Sequence, residues 1–64
     1  MGKIRRGGYV FISWKGEHSP RHVHVYRDDR LVVKWNLEKQ LAIEGEASGR
    51  LRRLITQLEQ EGRL

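Results

Sequence analysis

Alternation of apolar and polar residues is the clearest pattern in the middle of the chain. The segment "HVHVY" places His22, His24 and Tyr26 on every second residue, with Val23 and Val25 between them. Because successive side chains of a strand point to opposite faces, one face carries three polar rings and the other carries valine. The pattern predicts a half-buried β-strand.

Three further segments are typical of strands. "YVFISW", Tyr9 to Trp14, follows a Gly pair and is rich in aromatic and β-branched residues. "LVVKW", Leu31 to Trp35, comes after the turn residues "RDDR", and "QLAIE", Gln40 to Glu44, is a short fourth candidate. "KGEHSPR", Lys15 to Arg21, holds Gly, Ser and Pro and predicts a loop. These segments predict a small antiparallel sheet of three or four strands.

The register of the hairpin around "RDDR" decides which face the histidines share. A two-residue loop of Asp28 and Asp29 would group them with the apolar residues of the next strand. A three-residue loop, residues 27–29 with Asp29 left-handed in a bulge, separates apolar from polar better, and register follows the buried face. We therefore predict the bulged three-residue turn. Its apolar face carries Val23, Val25, Leu31, Val33 and Trp35, and its polar face carries His22, His24, Tyr26, Arg30, Val32 and Lys34.

The C-terminal segment has the period of a helix. Its apolar residues recur at i, i+3, i+4 and i+7, and they are Leu51, Leu54, Ile55 and Leu58. Ser48 is suited to the N-cap and Gly62 to the C-terminal stop. We expect this helix to pack on the valine face of the sheet. The predicted fold is α+β, a β-β-β-(β)-α order in a single domain over residues 1–64.

Composition points to a basic protein with a small core. The chain has 64 residues, and a domain of this size buries only ~60% of its unfolded surface. That favours stabilisation by a small protein partner or by homodimerisation. Lys and Arg number 13 against 8 Asp and Glu, a formal net charge of +5. This charge favours nucleic acid as a partner, although a solvated basic surface has the same composition.

Location is predicted from what the sequence lacks. There is no cysteine, which excludes disulfides and thiolate metal sites and fits a reducing cytosol. No apolar run approaches the ~20 residues that a membrane span needs. We therefore expect a cytoplasmic protein that makes no membrane contact.

The segment from Tyr9 to Leu58 resembles a known family. "YVFISWKGEHSPRHVHVYRDDRLVVKWNLE" is similar to small bacterial and phage proteins of domain-of-unknown-function family 4160, whose signature is Pro-x-His-Val-His-Val. That signature stands here at residues 20–25. Genes of the family are often found beside a second small gene, as in toxin–antitoxin operons. The resemblance therefore implies a protein partner and does not imply a reaction.

The two histidines of the strand allow a metal site. His22 and His24 lie about 7 Å apart on one strand face, a spacing that two ligands of one zinc or copper ion can use. His18 or Glu17 of the loop can supply a third ligand. No fourth ligand is evident and the neighbouring Arg21, Arg30 and Lys34 repel a cation, so no metal cofactor is favoured.

The same histidines allow a metal-independent ribonuclease. His22 and His24 would act as general acid and base, and Lys34 or Arg30 would stabilise the phosphate in the transition state. The residues leave open whether the protein is an enzyme.

A binding role needs fewer assumptions. Arg21, Tyr26, Arg30 and Lys34 are suited to contact nucleic acid or a partner, since bases stack on rings and cations hold phosphates. We expect a small basic binding module of a two-gene, toxin–antitoxin-like system that contacts nucleic acid through the His face. The ribonuclease and the His-x-His metal protein remain the alternatives.

Overall fold

The computed structural model describes residues 2–13 and 21–64, which form five strands and one helix. The strands are β1 (Gly2–Arg6), β2 (Tyr9–Ser13), β3 (His22–Arg27), β4 (Arg30–Asn36) and β5 (Leu41–Gly45), and the helix is α1 (Gly49–Gln60). The strands lie side by side in chain order, and each pairs antiparallel with the next. The α+β class is confirmed, but the sheet has five strands where three or four were predicted.

The additional strand is β1, at the N-terminal edge. It pairs with β2 along its whole length, from Gly2 opposite Ser13 to Arg6 opposite Tyr9. The turn between them consists of Gly7 and Gly8, which both have positive φ, at 62° and 85°. A two-residue turn with both residues at positive φ matches the twist of the strands that it joins. The Gly pair is therefore the turn of a β1–β2 hairpin, whereas the sequence pattern predicts only that it precedes β2.

The β3–β4 hairpin corrects the predicted turn. Its loop has two residues, Asp28 and Asp29, at φ 52° and 63°, and not three. Tyr26 pairs with Leu31, as such a turn requires, and the register then shifts so that Val25 pairs with Val33. The extra residue lies inside β4 and not in the turn.

This bulge produces the predicted separation of faces by a different route. Val23 pairs with Trp35 and His24 pairs with Lys34, as apolar and polar faces require. Three residues, Arg30, Leu31 and Val32, lie on the face opposite to the predicted one. Leu31 is 41% exposed and lies outside the core, whereas Val32 is partly buried and packs against it.

Helix α1 begins and ends where the sequence predicts. The Ser48 side chain accepts a hydrogen bond from the Leu51 backbone N–H at 3.1 Å. At the other end Gly62 has φ 74° and donates to the Glu59 carbonyl, while the Arg63 N–H donates to the Leu58 carbonyl. This is the Schellman arrangement, in which a left-handed residue satisfies the last carbonyls.

The core lies between α1 and one face of the sheet, as predicted. Leu51, Ile55 and Leu58 are fully buried, and Leu54 is partly buried against the same cluster. The buried residues of the sheet side are Tyr9, Phe11, Val23, Val25, Val33, Trp35 and Leu37. The helix covers one sheet face, and within residues 2–13 and 21–64 no helix lies on the opposite face.

The β4–β5 connection is held by a buried side chain. Asn36 accepts hydrogen bonds from the backbone N–H groups of Glu38 and Lys39 through its Oδ1, each at 2.9 Å. β5 then carries a second bulge, since Lys34 pairs with Glu44 and Trp35 with Ala42.

Among the residues that the structure describes, no helix has both the length and the apolar character of a membrane span.

Candidate functional site

The sheet face opposite α1, called the outer face below, carries the polar rings of β3. One row of cross-strand partners crosses all five strands through His24. It consists of Lys3, Ile12, His24, Lys34 and Glu44. A second row consists of Arg5, Val10, Tyr26 and Leu31. Directly opposite residues project to the same side of a sheet, so each row forms one line of side chains on the outer face.

The rings of β3 form a ladder along the centre of this face. The imidazoles of His22 and His24 have centroids 5.2 Å apart and planes inclined by 32°. The His24 and Tyr26 rings follow at 6.5 Å and 59°. All three side chains are half-buried, whereas the valines between them are buried. The alternation of the sequence is therefore realised as three adjacent, half-buried rings on one face of β3.

Cations flank this ladder on both sides. Lys34 lies directly opposite His24 on β4. Lys3 and Arg5 lie two strands away on the other side, about 10 Å from β3 at the spacing of paired strands. An open depression of about 280 Å³ lies between β1 and β3, and its lining residues are Lys3, Arg5, Val10, Ile12, Tyr26 and Asp29. A flat aromatic or phosphate group can enter a depression of this shape.

These outer-face cations differ from Arg6, which is already paired. Arg6 Nη1 and Nη2 donate to the two Glu61 carboxylate oxygens at 2.7 and 2.9 Å. This hydrogen bond raises the pKa of Arg6 and lowers the pKa of Glu61. Within residues 2–13 and 21–64, by contrast, no ion pair engages Lys3, Arg5 or Lys34. The cross-strand partners of Lys3 and Arg5 are apolar, whereas Lys34 lies directly opposite Glu44 without an ion pair to it.

The predicted site residues are only partly brought together. His22, His24, Tyr26 and Lys34 share the outer face, as expected. Arg30 does not share the outer face, because its cross-strand partner is Arg27, whose side chain lies on the helix side of the sheet.

Arg27 marks the other side of the sheet. Its guanidinium lies 5.7 Å from the centroid of the buried Tyr9 ring, and its partner Arg30 projects to that same side. The physical reason is the length of the turn. The two-residue turn pairs Arg30 with Arg27, whereas the predicted three-residue turn would have paired Arg30 with Tyr26 and placed it on the outer face.

Arg21 stands at the start of β3 and is exposed. Its N–H donates to a Glu38 carboxylate oxygen at 2.8 Å, and its carbonyl accepts from the Leu37 N–H at 2.9 Å. These contacts fix the backbone next to His22, and alternation places residue 21 on the same side of β3 as the buried Val23 and not on the outer face.

The metal hypothesis depends on a residue outside the described part of the chain. His18 lies in the segment 14–20 and so outside the described residues. Within the described ranges, no group of three or more His, Asp or Glu side chains is placed to hold a metal ion. Lys34 opposite His24 adds a positive charge next to the His pair, which disfavours a cation and favours an anion.

Sequence reasoning missed Lys3 and Arg5. Both come from β1, which was not predicted as a strand. The available signal was the Gly7-Gly8 pair, since two glycines between extended segments indicate a two-residue hairpin. Alternation within "GKIRR" then places Lys3 and Arg5 on one face and Ile4 on the other.

The arrangement allows three kinds of contact with a polyanion. Lys3, Arg5 and Lys34 can hold phosphate oxygens. Tyr26 and the imidazoles offer ring faces on which bases can stack. Imidazoles can also donate or accept protons near neutral pH.

Fold and site together define a small α+β domain in which a helix covers one sheet face and cationic and aromatic side chains lie on the other. A family model for the domain of unknown function DUF4160 matches residues 8–63, and the chain therefore belongs to this family. The resemblance seen in the sequence is confirmed at this level. The matched range excludes β1, which supplies Lys3 and Arg5. Comparisons with curated proteins and with solved structures gave no match.

Proposed function

We propose that this protein is a small basic binding module that contacts nucleic acid through its outer face and works with a protein partner in a two-gene, toxin–antitoxin-like system. The observation that carries the proposal is the row through His24. It places Lys3 and Lys34 on either side of half-buried rings, on a sheet face that the helix does not cover.

Single-stranded nucleic acid suits this face better than a duplex does. Single-stranded binders combine aromatic side chains that stack on bases with cations that follow the backbone. The outer face offers the His22, His24 and Tyr26 rings in a line, with cations about two strands to one side and one strand to the other. A strand of RNA or DNA lying across the sheet would meet ring faces at its bases and cations at its phosphates.

The partner is proposed on separate grounds. A 64-residue chain buries a small core, and a binding partner that recognises only the folded state stabilises it by mass action. The family resemblance implies a gene that often lies beside a second small gene, and this arrangement fits a partner encoded by the adjacent gene.

The experiment is a salt titration of binding. A labelled short single-stranded RNA is titrated with the protein, followed by fluorescence anisotropy, between about 50 and 200 mM salt. We expect affinity to fall steeply with salt and the backbone amide signals of His24, Tyr26 and Lys34 to shift on binding. Failure to bind single-stranded RNA, single-stranded DNA and duplex at low salt would contradict the proposal.

A second candidate function is metal-independent RNA cleavage. It is favoured by one observation: two half-buried imidazoles lie 5.2 Å apart with Lys34 directly opposite one of them. Such a pair can act as general acid and base on one phosphodiester, and the ammonium can stabilise the charge that develops on phosphate.

A further inference from the structure

A groove on the helix side of the sheet is distinct from the outer face. It lies between the edge strand β5 and the helix α1, in two adjoining depressions of about 370 and 390 Å³. Trp35, Gln40 and Arg52 line both depressions. The helix side of the groove adds Arg53, Thr56 and Gln57, and the strand side adds Leu41, Ala42, Gly45, Glu46 and Ala47.

One wall of the groove is a strand with a free edge. β5 pairs with β4, and within the described ranges no strand lies on its other side. All five residues of β5 are exposed, including Leu41 at 49% and Ile43 at 46%. An exposed edge with large apolar side chains is a template for another extended chain.

The other wall carries positive charge held in position. The Arg52 guanidinium lies 5.7 Å from the centroid of the Trp35 ring, and stacking of this kind leaves the in-plane N–H donors open. Within the described part of the chain, neither Arg52 nor Arg53 forms an ion pair. Among the described residues, the groove therefore combines an open backbone edge and apolar contacts with two unpaired cations and a single carboxylate, Glu46, which leaves an excess of positive charge.

We propose that this groove binds an extended, acidic and apolar segment of the protein partner, which adds to β5 as a sixth strand. Strand addition beside a helix is a recurrent mode of peptide recognition, in which main-chain hydrogen bonds give affinity and alternate side chains give specificity. The bound strand lies about 4.8 Å beyond β5. Its groove-facing side chains combine an apolar residue against Ala42 and Ala47 with carboxylates that reach Arg52 and Arg53.

Charge distinguishes this occupant from a second copy of the chain. Each copy carries a formal net charge of +5. The other free edge of the sheet, β1, would bring Lys3, Arg5 and Arg6 towards Arg52 and Arg53. Like charges placed across an interface disfavour association. An acidic strand removes that repulsion.

The inference rests on the protein partner of the proposed function, so its test avoids nucleic acid. Short random peptides displayed on phage are selected on the intact protein, with counter-selection on the charge-reversed variant R52E/R53E. Enriched peptides are synthesised and titrated into the protein, and backbone amide shifts are recorded. The matched control is R30E/R63E, which makes the same charge change at two exposed arginines outside the groove.

We expect enriched peptides to place apolar and acidic residues two positions apart and to shift the amides of Leu41, Ala42 and Ile43. R52E/R53E should weaken binding by about tenfold or more, while R30E/R63E binds as the parent chain does. Methylation of the peptide's backbone nitrogens should abolish binding, because it removes the hydrogen bonds of strand addition.

Three results would overturn the inference: no enrichment over the counter-target, enriched peptides without acidic residues, or amide shifts on the outer face instead of β5. Concentration-dependent shifts of β5 amides without peptide would assign the groove to a second copy. RNA titrations of the same variants separate the two proposals, since R52E/R53E should leave binding at the outer face within about twofold of the control.

Discussion

His24 of β3 lies directly opposite Lys34 of β4, in the row of outer-face side chains that reaches Lys3 on β1. Cross-strand partners stand about 5 Å apart at their Cβ atoms. The imidazole of His24 and the side chain of Lys34 therefore start from adjacent points of the outer face. The pair places a titratable ring next to a fixed positive charge, which is an arrangement for an anion.

Removing one outer-face cation should change how binding depends on salt. K34Q should weaken RNA binding and reduce the slope of log affinity against log salt by about one, the value for one lost phosphate contact. K3Q should act in the same direction. The control is K39Q, which removes the same charge from the exposed β4–β5 turn. Equal slopes for K34Q, K3Q and K39Q would show that phosphate is bound elsewhere.

The histidines separate the two candidate functions. If the protein cleaves RNA, H22A and H24A should each abolish cleavage, because general acid and base are both required, while circular dichroism shows an unchanged fold. If it only binds, both variants should bind more weakly and the parent chain should leave a labelled RNA intact. Cleavage that survives in both variants would exclude these imidazoles as catalysts.

The Arg6–Glu61 ion pair should make stability depend on pH in the acid range. The pKa of Glu61 is lowered in the folded state, chiefly by its hydrogen bonds from Arg6. The pair therefore contributes stability above the ordinary carboxyl pKa of about 4.3, and this contribution is lost as pH falls through the lowered value.

The measurement is the melting temperature against pH for the parent chain and E61Q. The difference between them should be present at neutral pH and should shrink below the ordinary carboxyl pKa. It should remain small, because both groups are solvent-accessible. The control variant is E46Q, which neutralises an exposed glutamate that forms no ion pair within the described residues.

The Asp28-Asp29 turn should be improvable. Both residues have positive φ, a conformation that Asp tolerates less well than Asn or Gly. D28N/D29G should raise the free energy of unfolding by about 1 kcal/mol, measured by chemical denaturation. D29V should lower it, since a β-branched residue is strongly disfavoured at positive φ. Stabilisation by D29V would contradict the two-residue turn.

Gly45 should not tolerate a side chain. Its φ is 78°, and a Cβ atom there would overlap the backbone carbonyl of Val32. G45A should therefore destabilise the protein by at least about 2 kcal/mol, from strain and from the displacement of β5. Gly49 is the matched control, because a Cβ atom there meets no neighbour within 4 Å. G49A should be neutral or stabilising by up to about 1 kcal/mol.

The sequence alone determined the features that rest on local periodicity. The spacing of Leu51, Ile55 and Leu58 fixed the helix and its buried side, because a 3.6-residue period has one apolar face. Ser48 and Gly62 fixed its ends through side-chain acceptance and left-handed backbone. Alternation in "HVHVY" fixed which β3 residues are buried.

Tertiary structure decided the features that rest on pairing between distant segments. Whether "GKIRR" forms a strand depends on its partner β2, since a polar edge strand with one apolar residue, Ile4, gains little by itself. The register of the β3–β4 hairpin depended on whether the extra residue lies in the turn or inside β4. Both placements are compatible with the turn residues and with an apolar face of the hairpin. For that reason only the structure shows that Lys3 and Arg5 lie on the face of the candidate site and that Arg30 does not. The sequence marked the histidines, and only the sheet determined which cations lie beside them.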